Sequence, residues 1–244
     1  MIAAVSWQQR YLARFYDPGR GWVDGTTEFH RLCAAHITAG SRVLELGAGR
    51  SNPTSRFLAT RGALHGLDPD AAVLGNDALQ GAQVLEGPRF PLPDASFDAC
   101  ASNFVLEHVR DPRAHFDEVR RVLRPGGCYV LRTANRYHYV TVVSRFTPHS
   151  FHRLVVKRLT GAAADAPEPF PTAYAANSPG RLRALAAACG LEVESLRLVE
   201  KEPSYGMASR LMFLAFTAYE RAVNASGRLA LLRSNIFGVL RRPA

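Results

Sequence analysis

The 244-residue sequence is poor in cysteine, and Cys33, Cys100, Cys128 and Cys189 stand far apart with no C-x-x-C pair. That spacing argues against a zinc knuckle and a disulfide framework and leaves buried, reduced thiols as the expectation. Long hydrophobic runs are missing too. The longest, "LMFLAFTAY" from Leu211 to Tyr219, is bounded by Arg210 and Glu220 and falls well short of the roughly 20 residues that cross a bilayer. It reads as a buried or interface helix, which leaves monomer and homodimer both open. The N-terminus has no sustained apolar stretch before Trp7, Gln8, Gln9 and Arg10, so it does not read as a signal peptide and a cytoplasmic protein is expected. Acidic residues vanish between Glu118 and Asp165, a window holding nine cations, as many as the whole net charge of +9. A positive field of that kind suits an anionic substrate, nucleic acid or an anionic membrane surface; an arginine-rich solvated face explains it equally well.

What is present is an ordinary globular composition, 47% hydrophobic and 21% charged, long enough for one α/β domain. A single domain over 1–244 is expected, with no internal repeat. Residues 1–40 read as a helical cover with aromatic faces. "RVLEL" is a short buried strand stopping at Gly47; Ser51 or Asn52 then caps a helix that Pro53 opens and that runs to Gly62. The alternation repeats through "ALHGLDP", "AQVLEG", "SFDACASNFVL", a helix over "DPRAHFDEVRRVL", and "CYVLRTA" after Pro125-Gly126-Gly127. Such alternation implies a parallel sheet wound on both faces. The rhythm breaks over 135–177, where aromatics, cations and an Ala/Pro-rich loop suggest a lid inserted over the active face. A helix from Pro179, a strand at "LEVESLRLVE", a helix over 208–224 and a strand at "NIFGVLRR" complete 178–244.

In such a sheet ligands bind at the carboxyl ends of strands. Gly47 and Gly49 let a ligand approach the backbone there, and the next helix aims unpaired amides at the same place. Asp68 closes the second strand at about the spacing where an acid meets a ribose, so an adenosine-type ligand is implied. A nicotinamide fingerprint would require a third glycine where Asn52 stands, which makes a dehydrogenase the weakest rival. Glu45 would repel a pyrophosphate but suits a ligand with an ammonium group. S-adenosylmethionine (SAM) carries an ammonium, a sulfonium and a ribose.

"VLELGAG", Asp68, "FPLPDASFDACASNFVLEHVRDP" and "EVRRVLRPGGCYVLRTAN" together resemble the successive motifs of class I SAM-dependent methyltransferases of the methyltransferase domain 11 type, closely over residues 40 to 135. The resemblance implies a Rossmann-like, seven-stranded, mostly parallel sheet with an antiparallel last strand, a SAM-binding core at 41–134 and a helical or loop lid after the fifth strand. It implies SAM as cofactor and S-adenosylhomocysteine as product. Glu45, Gly47, Ala48 and Gly49 would line the methionine and ribose end, Asp68 and Pro69 the ribose, Glu86 the adenine amine, and Asn103 the methyl end. Asp98 would order the fourth strand.

Methyl transfer asks mainly for proximity and alignment, with a base for a hydroxyl acceptor. His108 and His138 are the candidate bases. Arg136, Tyr137, Tyr139, Arg145, His149 and His152 in the lid would select the acceptor, and with no acid in that window no metal is expected. The expected acceptor is a small molecule or glycan, anionic in character, with oxygen favoured over nitrogen. An RNA- or protein-directed enzyme, or a nucleic-acid module, using basic segment 119–164 is the competing reading. Peripheral contact with an anionic membrane through 145–159 and 208–219 is compatible with the first.

Overall fold

The computed structural model describes residues 6–146, with side chains to 142, and residues 171–203 and 206–244. The chain divides into two compact units.

The larger unit, residues 28–136, 170–198 and 235–244, holds the sheet. Its strands are β1 (Ser41–Leu46), β2 (Gly62–Asp68), β3 (Gly81–Val84), β4 (Phe97–Asn103), β5 (Leu123–Ala134), β6 (Glu192–Val199) and β7 (Asn235–Arg241), in the order β3-β2-β1-β4-β5-β7-β6. Strands β1 to β5 pair in parallel, and β7 runs antiparallel to β5 with Val130 opposite Val239. The order reverses at β1, which pairs with β2 on one side and β4 on the other, and this is where a ligand crevice forms.

Alternation along β1 sends Leu44 and Leu46 into one core with Leu67, Cys100, Tyr129 and Leu131. Helices α4 (Pro112–Val122) and α6 (Pro179–Ala188) close that core with Phe116, Val119, Leu182 and Leu185. Helix α2 (Gly25–His36) buries Phe29, Leu32 and Cys33, and the Cys128 thiol donates to the carbonyl of His36 at 3.5 Å. All four cysteines are buried thiols.

Several boundaries differ from the sequence expectation, three of them for a visible reason. Helix α3 (Pro53–Ala59) ends before Gly62, which instead opens β2. Strand β4 stops at Asn103 because Phe104 takes a left-handed φ of 57° and donates its N–H to Arg132 O, so Val105 and Leu106 leave the strand. Strand β5 starts at Leu123, ahead of the Pro-Gly-Gly segment, and Gly126 (φ 78°) donates to Arg242 O.

The acid-free window is not an acid-free surface. Arg121 reaches Glu118 at 2.7 Å, Asp94 at 2.6 Å and the carbonyls of Phe90 and Leu92; Arg124 pairs with Asp98, and Arg132 is buried and donates to Asn235. Asp98 also accepts from Arg42 N–H at 2.7 Å, so it does order β4. The sequence window concealed these bonds because the acids lie just outside it, Glu118 on the same helix α4 and Asp94 and Asp98 in the preceding loop and strand.

The smaller unit, residues 1–27, 137–169 and 199–234, contains α1 (Trp7–Phe15), α5 (Tyr139–Phe146), α7 (Arg210–Ala225) and a 3-10 turn (Gly227–Leu232). Phe213 is its hub: Trp7, Tyr11, Phe15 and Tyr16 pack their rings on it at centroid distances of 5.6–6.3 Å. Tyr16 donates to Thr217 at 3.2 Å, and Asn224 donates to buried Glu220 at 2.7 Å. Residues 147–170 of the expected lid lie outside the described residues.

Candidate functional site

The turn after β1 is built by its own polar groups. Asn52 caps α3, its Oδ1 accepting from Thr54 N–H and Ser55 N–H, while its amide donates to Ala48 O and Ser55 Oγ. Asn76 adds a second amide to Ala48 O and Gly49 O. Gly47 sits at φ 67° and a Cβ there would collide with the Val105 side chain; Gly49 sits at φ 48° with Asp68 directly behind it. Gly47 therefore needs glycine for conformation and for space, and Gly49 for conformation.

Asp68 is buried and bridges two turns. Its Oδ2 accepts from Gly49 N–H at 3.0 Å and its Oδ1 from Asp70 N–H at 2.7 Å. Each carboxylate oxygen keeps a second lone pair. Glu45 is 4% exposed, and its Oε2 is buried with no hydrogen-bond partner. Burial pushes its carboxyl up to about 7; a bond with Ser55 works against the shift and the charge of Asp68 adds to it. A cation at that oxygen would satisfy it and pull the pKa back down.

Asn103 ends β4 and donates to Thr54 Oγ1 at 3.2 Å, leaving its buried Oδ1 without a partner. His30 Nε2 meets the same hydroxyl at 3.3 Å, its ring stacked on Phe57 at 4.4 Å. Histidine, threonine and asparagine thus converge on one hydroxyl behind the turn. Thr54 reads in the sequence only as a helix residue and His30 only as part of a helical face, so neither was found there.

Beside the turn lies a cleft of about 330 Å³ lined by Leu46, Gly47, Leu67, Pro69, Leu85, Pro88, Phe90, Val105, His108 and Ala114 among others. Its walls are mostly apolar. His108 faces the cleft, its Nδ1 3.1 Å from Pro171 O, a distance that makes Nδ1 the protonated nitrogen. His115 also lines it, lowered to about 4 by burial and set 3.3 Å from Tyr129 Oη, which bonds Ser102 in turn. Glu86 is exposed and outside the lining, whereas its neighbours Leu85 and Gly87 belong to it.

The remaining expected site residues are divided between the two units. Arg136 closes the larger unit, its N–H bonded to Asn177 O. His138 is buried in the smaller unit 3.4 Å from Glu200 Oε2 and lowered to about 4 by burial. Tyr139 stacks on Phe216 at 5.2 Å, and Tyr137 is half exposed. The Arg145 side chain, His149 and His152 fall outside the described residues. Among the described residues no group of three or more His, Cys, Asp or Glu could hold a metal ion, and no helix is long and apolar enough to cross a membrane.

Residues 44–131, from inside β1 to inside β5, match the family model described as "Methyltransferase domain". The matched segment resembles a methyltransferase domain. Its relatives include a "Probable S-adenosylmethionine-dependent methyltransferase" of Mycolicibacterium smegmatis, 36% identical over 106 residues, which are 42% of this chain and 41% of that protein. An "Uncharacterized methyltransferase" of Mycobacteroides abscessus is 30% identical over 142 residues, 54% of each chain. The chain thus spans about half the length of these curated relatives. Among solved structures, a chain of the complex containing the Haloferax volcanii Trm112 methyltransferase activator aligns at a TM-score of 0.61 and 20% identity, covering 96% of this chain and 95% of that one. At that identity the likeness concerns the fold, which is the seven-stranded class I methyltransferase architecture. The matched segment runs from inside β1 through most of β5, so it includes Glu45, the glycine turn, Asp68, Asn103 and His108.

Proposed function

We propose that this chain is a SAM-dependent methyltransferase acting on a small-molecule or glycan-type acceptor, with oxygen the favoured atom and nitrogen next, and releasing S-adenosylhomocysteine. One observation carries the reading: a buried carboxylate oxygen on Glu45, without a partner, precedes a glycine turn whose Gly49 N–H bonds Asp68, and the next residues, Leu46 and Gly47, line an apolar cleft. A cofactor combining an ammonium, a ribose and a flat purine matches those three features.

On this reading Glu45 meets the ammonium, Asp68 takes the ribose hydroxyls on its remaining lone pairs, and the adenine slots between Leu85, Pro88, Val105 and Ala114. Bound SAM supplies a methyl carbon made electrophilic by the sulfonium. The chain's own part is to hold that carbon in line with an acceptor and exclude water, since alignment accounts for much of the acceleration in such a displacement. His108 then flanks the nucleoside. His30, linked through Thr54 to Asn103, is the base this arrangement favours for a hydroxyl acceptor.

The test is transfer of isotope-labelled methyl from SAM into fractionated lysate of the source organism, with Asp68→Ala as control. Label in a small-molecule or glycan fraction, lost in the variant, is the expected result. Label in RNA or protein would overturn the acceptor class, and absence of both label and SAM binding would overturn the activity itself.

A further inference from the structure

Helix α7 reverses the usual amphipathic arrangement. One side is buried through Phe213, Thr217, Glu220 and Val223. At 3.6 residues per turn the opposite side of a surface helix carries polar residues. Here it presents Leu211, Leu214, Ala215, Ala218, Ala222 and Ala225, all exposed, Leu211 at 79% and Leu214 at 40%. The stripe runs about 21 Å along the helix at 1.5 Å per residue. The 3-10 turn that follows adds exposed Leu229 and Leu232, held to α7 by Tyr219 Oη donating to Leu232 O at 2.6 Å.

The charges around this apolar strip are of one sign. Arg210 and Arg228 are exposed, whereas the one acid between residues 206 and 234 is Glu220, 2% exposed, bonded to Asn224 and paired with Arg221 at 3.3 Å. A second copy is a poor occupant, because pairing two such faces gathers arginines with no exposed acid to meet them. An anionic interface suits both features at once: leucines enter below the headgroups and arginines remain level with the phosphates. We propose that α7 and the Gly227–Leu232 turn dock this protein reversibly on an anionic lipid surface, lying in the interface and not spanning it. The proposal goes beyond methyl transfer and does not depend on it.

The test uses the full chain and co-sedimentation with vesicles of phosphatidylcholine alone or mixed with phosphatidylglycerol. Binding is expected with the mixed vesicles, weakening as salt rises. Leu211→Ser/Leu214→Ser should lower the partition coefficient at least ~10-fold, and Arg210→Gln/Arg228→Gln should lower it about fivefold per arginine removed. Circular dichroism and thermal melting establish that each variant folds; if the leucine variant does not, the arginine variant decides. Absence of wild-type binding to mixed vesicles, or unchanged binding by either folded variant, would overturn the proposal. So would a dimer, seen by analytical ultracentrifugation, that the leucine variant dissociates while vesicle binding is absent.

Discussion

Replacing Glu45 by Gln keeps the side-chain shape and removes its charge, and two opposite consequences follow. The folded carboxyl is held at about 7 by burial against an ordinary 4.5, so the folded chain holds this proton more tightly than the unfolded one. The resulting stabilisation is complete below the unfolded value and is lost as pH rises through about 7. Between about pH 5 and about pH 8 the lost contribution is about 2.5 kcal/mol. The variant lacks that dependence, and any cost of its unmatched amide is the same at both pH values and cancels. Thermal melts should therefore show the wild type losing roughly 5–10 °C relative to Glu45→Gln over that interval. Affinity for SAM, read by calorimetry, should move the other way. The wild type should weaken toward tenfold per unit as pH falls below about 7, because the carboxylate must ionise to meet the ammonium, and the variant should be weak and flat. Parallel melting curves for the two proteins would refute the burial argument. Equal SAM affinity would refute the placement of the ammonium.

Asp68→Ala removes the acceptor of both Gly49 N–H and Asp70 N–H, so SAM affinity should drop about 10–100-fold, measured by calorimetry. Arg121→Met strips the loop around Phe90 of its clamp to Glu118, Asp94 and two carbonyls; denaturant titration should show a loss of about 2–4 kcal/mol. The two histidines should separate kinetically: His30→Ala lowers kcat, whereas His108→Ala chiefly raises KM for SAM. An unchanged kcat for His30→Ala would remove it from the chemistry.

Much of the sheet was legible in the sequence because its signals are local. A short apolar run ending at Gly47, an Asn-Pro helix start, and an acid at the end of the next strand each follow from backbone conformation and side-chain burial over a few residues. Two helix starts behaved the same way: Asn52 and Ser178 cap α3 and α6 with their own side chains, whereas α7, expected from 208, starts at Arg210 behind Ser209. The strand ends were less legible, since Phe104 leaves β4 through a bond to Arg132 on the neighbouring strand, a contact that no local pattern contains.

The sequence by itself determined the α/β alternation, the glycine turn and the placing of Glu45 and Asp68 at strand ends, because strand period and glycine conformation are properties of adjacent residues. Only the tertiary structure decided that Glu45 stands buried with an unmatched oxygen, that His30 and Asn103 meet at Thr54, that Glu86 turns to solvent, and that Arg121 and Arg124 of the acid-free window pair with acids outside it. These depend on which side chains share a low-dielectric space or a hydrogen bond, and that is fixed by parallel crossovers bringing together residues tens of positions apart.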